Sequence, residues 1–148
     1  MIQLPLQQLS VLMENKPGSM AKVLSALGEE SEIFALSIAE SGEFGLVRFI
    51  VSDPNKASER LELSGFNLAK SKRNAEVTGV LITDEIRASK VAKVLADGGV
   101  NIEYAYSSSF PVNGRHALIL RTDDVQKAEE ILTNNGAKLL SQIDLTRR

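Results

Sequence analysis

One short pattern occurs twice in this chain, and that constrains its fold more than any other feature. Met20, Val23, Leu24 and Leu27 recur at helical spacing, and about 70 residues later Ala88, Val91, Ala92 and Leu95 repeat it in a matching context. The shared words are Ala21-Lys22-Val23-Leu24 and Ser89-Lys90-Val91-Ala92. What precedes each helix differs. The first is entered through Asn15-Lys16-Pro17-Gly18-Ser19, the second through Thr83-Asp84-Glu85-Ile86-Arg87. Two units share an architecture and have diverged at one loop.

The periodicity around these helices gives each unit the same order. In the first half, Leu9 to Met13 is a short strand, Ser19 is placed to cap the helix that ends near Gly28, and Ile33 to Ser41 is a second strand. Gly42 to Gly45 is expected as the hairpin loop and Leu46 to Ser52 as the third strand. Asp53-Pro54 is a helix-start signal, with Ala57 and Leu61 as a buried stripe, and Phe66 to Ala69 closes the unit. The second half follows with strands at Val77 to Ile82, Ile102 to Phe110, His116 to Thr122 and Ala137 to Leu140. Its helices run from Ala88 to Ala96 and through Val125, Ala128, Ile131 and Leu132, and its hairpin turn is Pro111-Val112-Asn113-Gly114. Both halves are βαββαβ. The expected fold is α+β: two tandem ferredoxin-like units, each an antiparallel sheet with helices on one face, spanning residues 1–72 and 73–148 with Lys70 to Asn74 as linker.

The third strand adds a constraint, because Leu46, Val47, Phe49, Ile50 and Val51 place apolar residues on both of its faces. A sheet open to water on one side alternates more cleanly, so the second face is expected to be covered by the other repeat or by a second chain, the competing reading being a partly apolar exposed sheet. Units of this size bury a modest share of their surface, which also favours association, and a homodimer is expected.

Composition removes several classes of function. The 148 residues carry a net charge of -2, with a pI near 5.5, which offers no electrostatic footprint for nucleic acid or an anionic membrane. The absence of cysteine excludes disulfides, thiolate catalysis and sulfur-based zinc sites. His116 is the one histidine and has no second ligand at metal spacing, so no metal and no cofactor is expected. The amino-terminal residues lack the pattern of a secretory signal and no apolar run approaches bilayer length, so a cytoplasmic protein is expected. RRM domains share the βαββαβ order, but the third strands here lack an aromatic-rich RNA-binding pattern. No nucleophile and base stand together as in an enzyme.

Glu14-Asn15-Lys16-Pro17-Gly18-Ser19-Met20 at the first strand-to-helix junction, together with Ile38-Ala39-Glu40-Ser41-Gly42-Glu43-Phe44-Gly45-Leu46-Val47-Arg48, resembles the stand-alone tandem ACT-domain proteins. The resemblance covers essentially the whole chain. It implies a non-catalytic, allosteric sensor that binds a free amino acid at interfaces between units, with the loop after the first strand facing the second strand of a neighbour. With no catalytic domain beside the repeats, any regulated activity is expected to belong to a separate protein, a regulated enzyme in trans being the candidate partner. The alternative is an ACT-type interaction or dimerisation module that has no ligand.

Candidate ligand-binding residues follow from chemistry and resemblance together. A helix amino terminus exposes unpaired N–H groups, so Gly18, Ser19 and Met20 are candidates for an α-carboxylate, with Asn15 adding an amide and Lys16 and Pro17 shaping the loop. The competing reading is a plain tight turn and helix cap. Ile38, Ala39, Glu40 and Gly45 enter through the second motif. Arg48 shares a face with Leu46 and Ile50, and with Ser41 to Gly45 as the loop, Glu40 falls diagonal to it, as a ligand contact or a structural ion pair. Phe44 lines a pocket or packs on the core. Tyr104 and Tyr106 form a pocket wall or a cross-strand aromatic pair. In the second loop Asp84 and Glu85 stand at the positions of Lys16 and Pro17, and Ile86 at that of Gly18. Acids there compete with an incoming carboxylate, so the dominant site is expected on the first loop.

Overall fold

The computed structural model describes residues 5–29, 31–69 and 75–146. They divide into two compact units, Gln7–Ala75 and a second in which Glu76 and the residues after it are joined by Leu6. The expected linker, Lys70 to Asn74, and the expected boundary after residue 72 lie outside the described residues.

In the first unit the elements are β1 (Leu6–Glu14, its first residue grouped with the other unit), α1 (Ser19–Leu27), β2 (Ile33–Ser41), β3 (Phe44–Val51), α2 (Pro54–Leu63) and β4 (Asn67–Leu68). The sheet is antiparallel throughout, in the spatial order β2-β3-β1-β4. This is the ferredoxin-like arrangement. Val11, Val47, Phe49 and Val51 point to the helix side and bury against Val23 and Leu27 of α1 and Ala57 and Leu61 of α2. Each such large side chain contributes about 1.5–3 kcal/mol of transfer free energy. Asp53 accepts a hydrogen bond from the Lys56 N–H (3.1 Å) with Pro54 opening the helix, so α2 starts where its sequence signal lies. At the other end of α1, Arg60 and Ser31 both donate to the carbonyl of Leu27, each at 2.8 Å, and so satisfy a terminal acceptor.

The second unit repeats the order with β5 (Glu76–Leu81), α3 (Ala88–Asp97), β6 (Ile102–Ser107), β7 (Ala117–Thr122), α4 (Val125–Asn134) and β8 (Leu139–Leu140). Its strands lie in the order β6-β7-β5-β8. Val80, Leu120 and Leu139 pack against Val91, Leu95, Ala128 and Leu132. Asp124 caps α4 as Asp53 caps α2, accepting from Lys127 N–H at 3.0 Å. Gly79 is pressed on the face away from the helices, where a Cβ would stand 2.6 Å from Leu6. A further helix, α5 (Gln142–Thr146), follows β8 with Asp144 accepting from the Ser141 N–H (2.8 Å) and Leu145 buried.

Three local expectations are corrected. The first hairpin loop is two residues, Gly42-Glu43, rather than a longer glycine-bounded segment, and Phe44 and Gly45 belong to β3. Gly42, at φ 64, occupies the first loop position, which a tight II′ turn reserves for glycine. Gly18, not Ser19, is the N-cap of α1: it sits in the left-handed region (φ 86), and Ser19 becomes the first helical residue with its side chain buried. Strand β6 ends at Ser107, and residues 108–116 form an extension closed by a Val112–Arg115 bridge around Asn113 (φ 52) and Gly114 (φ 76), an Asn-Gly pair with both torsions positive.

The two-faced character of β3 has a structural counterpart. On the face of the first sheet away from the helices, Ile50, Ala35, Ser10 and Gln8 are buried. Toward the hairpin the same face opens, and Leu12 and Phe44 are each 46% exposed.

Candidate functional site

The divergent loop of the first unit borders a cavity of about 320 Å³. It forms where the pairing of the β4 segment with β1, which runs from Ser10 to Leu12, stops short of Met13 and Glu14. Around that edge stand Lys16 of the loop, Ser19 and Lys22 of α1, Phe44 of β3, and Gly65, Phe66 and Asn67 at the start of β4. Residues 19 and 22 are three apart in α1 and therefore present one side of its first turn. Leu12 and Glu14 point away from the helices. The register sets Leu12 opposite Leu46 and Glu14 opposite Phe44, so an apolar strip runs along this rim.

The loop is held in place by the hairpin. Asn15 donates its backbone N–H to the carbonyl of Glu43 (2.8 Å) and its side-chain amide to that of Gly42 (3.0 Å). Its amide therefore serves as a latch between the β1–α1 loop and the β2–β3 turn. The Ser19 N–H bonds to the Lys16 carbonyl at 3.2 Å, whereas the N–H groups of Met20 and Ala21 meet no acceptor among the described residues. Lys16 pairs with Glu14 at 3.1 Å, with both side chains more than half exposed. Lys22 has no acidic partner among the described residues. The positive end of α1 and this ammonium group together make the side of the cavity next to the helix favourable for an anion.

Of the expected site residues, Lys16, Ser19 and Phe44 line the cavity. Asn15, Pro17, Gly18 and Met20 belong to the same loop and first turn without lining it. Gly45 is buried opposite Met13 on the helix side, and a Cβ there would approach the Met13 side chain to 3.1 Å. The proposed Glu40–Arg48 diagonal is not formed. Glu40 pairs with Gly45 and Ala39 with Leu46, so the two-residue loop moves Glu40 to the face opposite Arg48. Arg48 lies between Ser10 and Ser37 one step further along the open face, and Ile38 projects on the helix side, 46% exposed. In the second unit Tyr104 and Tyr106 do share one face, with Arg121 and Ile119 as their cross-strand neighbours. Arg121 itself bridges Glu103 at 3.5 Å and donates to the Glu76 carbonyl at 2.8 Å.

Leu12, Met13, Glu14, Lys22, Gly65, Phe66 and Asn67 line the cavity beyond the residues expected from the sequence reading. Lys22 was within reach of it, three residues after Ser19 on a helix already assigned. Phe66 and Asn67 needed the β1–β4 pairing, which no local pattern states.

The second loop is built differently. Ile86 is buried in the core of its unit, the Ile86 N–H bonds to Thr83 Oγ1 at 3.0 Å, and the Thr83 N–H bonds to the Ile86 carbonyl at 3.1 Å. A closed turn plugged by an isoleucine stands where the first unit has an open glycine. His116 meets Ser108 Oγ at 3.4 Å, and the described residues contain no cluster of three acidic or histidine side chains able to hold a metal. No helix among the described residues is long and apolar enough to cross a membrane.

Two tandem ferredoxin-like βαββαβ units define the class of paired α+β domains to which the chain belongs. The chain belongs to the ACT domain pair family, whose sequence profile matches residues 4–148. Protein BT0572 from Bacteroides thetaiotaomicron has a similar crystal structure, with a TM-score of 0.83 and 33% identity over 99% of each chain. The ligand-free regulatory subunit of aspartate kinase from Thermus thermophilus shares the fold, with a TM-score of 0.58 and 20% identity over 90% of this chain and 93% of that one. The corresponding subunit from Thermus flavus gives a TM-score of 0.58 and 20% identity over 89% and 93%. No curated protein matches the chain.

Proposed function

We propose that this protein is a non-catalytic regulatory sensor that binds a free amino acid at the first-repeat loop and acts on a separate enzyme. The observation that carries the reading is the asymmetry between the two junctions. The first has a cavity, a left-handed glycine, unpaired N–H groups at the helix start and an ammonium group beside them. The second has a turn closed on itself and filled by Ile86. The fold shared with regulatory subunits of aspartate kinase is consistent with a role of this kind.

The test is a thermal-shift panel of the twenty amino acids. Binding at a hundred times Kd stabilises the fold by about 2.7 kcal/mol, a shift of several degrees. A flat panel would favour the alternative, an interaction module without ligand. We further propose a homodimer, supported by the open apolar strip at Leu12 and Phe44. Light scattering should give twice the chain mass, and a monomer at high micromolar concentration would contradict it.

A further inference from the structure

We infer that the cavity selects amino acids with apolar side chains, and that Lys22 and Glu14 recognise the two charges of the zwitterion while Leu12, Phe44 and Phe66 receive the side chain. The inference rests on the reading of the first-repeat junction as an amino-acid site and adds the ligand class and the residues that set it.

The charges around the cavity leave room for one carboxylate and one ammonium group. Lys16 is engaged by Glu14 at 3.1 Å, and Lys22 lacks an acidic partner among the described residues. A ligand carboxylate on Lys22 next to the first turn of α1, with its ammonium on Glu14, extends the alternation from Lys16 through Glu14 and the ligand to Lys22. The Glu14–Lys16 pair is exposed and weak, so sharing Glu14 costs little. A second ligand carboxylate is opposed by the apolar lining rather than by the Glu14–Lys16 pair, which is too exposed to exclude it. A second ligand ammonium would find Glu14 already used.

The remaining walls are mostly apolar. Leu12 and Phe44 stand 46% exposed on the rim, and Met13 and Phe66 lie deeper. Covering them releases water from apolar surface, whereas a charged or amide side chain placed there loses hydration with few partners to replace it. The volume of about 320 Å³ lies at the small end of ligand cavities, which suits a single amino acid rather than a nucleotide or peptide.

Calorimetric titration of the full chain with leucine, methionine, phenylalanine, aspartate, glutamate and lysine, and with leucinamide as the analogue lacking a carboxylate, tests this. An apolar amino acid should bind at least about tenfold more tightly than the charged ones, and leucinamide should not compete. Lys22→Met should weaken the apolar ligand about ten- to a hundredfold, and Lys22→Arg should restore most of the affinity. Lys22 is exposed, so both variants should fold as the parent does. Tighter binding of aspartate, glutamate or lysine would overturn the class assignment while leaving the amino-acid site intact. Unchanged affinity in Lys22→Met would overturn the role of Lys22. Failure of every amino acid to bind would overturn both this inference and the reading beneath it.

Discussion

Gly18 is where backbone geometry and ligand chemistry separate cleanly. Its φ of 86 places it in the left-handed region, and a Cβ there would meet nothing within 4 Å. Gly18→Ala therefore creates no clash and costs only the backbone penalty of about 1–2 kcal/mol, partly offset by about 0.4–1 kcal/mol through a stiffer unfolded chain. The net loss is about 1 kcal/mol, a fall in Tm of about 2–4 °C for a chain of this size. Gly136 provides a matched control, since it has the same φ of 86 and the same open surroundings at the end of α4 and is not among the residues that line the cavity. Gly136→Ala should lower Tm by a similar amount. The pair should diverge in binding. Gly18→Val places a β-branched side chain between Lys16 and Ser19, both cavity residues, and should cost at least tenfold in affinity, about 1.4 kcal/mol, while Gly136→Val leaves affinity unchanged. Calorimetric titration of the folded variants reads this directly. Equal affinity in Gly18→Val and the parent would remove the loop from the site, and a loss of Tm confined to Gly136→Ala would refute the left-handed N-cap.

Ile86→Ala should destabilise the second unit by about 2–5 kcal/mol, because it opens a cavity under α3, yet leave ligand affinity unchanged; chemical denaturation and titration check the two halves of the statement. Glu129 titrates above the usual carboxylate range, first because it is partly buried and second because Glu76 repels its charge. The folded state thus holds that proton more tightly than the unfolded chain, so the contribution of Glu129 falls as pH rises from the ordinary carboxylate pKa through the raised one. Glu129→Gln should therefore gain stability relative to the parent at neutral pH and lose that advantage below about pH 4, measured as the difference in Tm across pH. An advantage that is the same at both ends of the range would show that the carboxylate is not strained by its surroundings.

Where the sequence could be read correctly, the signal was local. Asp53-Pro54 starts a helix because side chain and backbone satisfy one another within a single turn, and the helical stripes Val23–Leu27 and Val91–Leu95 bury as their spacing requires. Registers were less legible. Counting Ser41 to Gly45 as loop set Glu40 beside Arg48, but Ser41 and Phe44 pair, and a change of one residue in register turns every side chain to the other face. Ser19 carried a cap signal that Gly18 displaced, since nothing in the letters shows which of two adjacent residues takes the left-handed torsion. Helix α5 rests on a five-residue stretch with one buried leucine, too short to show a period, although Ser141 and Asp144 mark its start. The cavity was half legible: its loop was evident, while the contribution of β4 depended on strand pairing between distant segments.

The central claim is that one junction of the two binds an amino acid. Its most direct test is calorimetric stoichiometry with the amino acid that gives the largest thermal shift, comparing the parent, Gly18→Val and the double variant Asp84→Ala with Glu85→Ala. One site per chain, lost on changing Gly18 and retained in the double variant, is the result predicted by a first loop that borders a cavity and a second that Ile86 closes. Two equivalent sites per chain, or loss of binding only in the double variant, would contradict it.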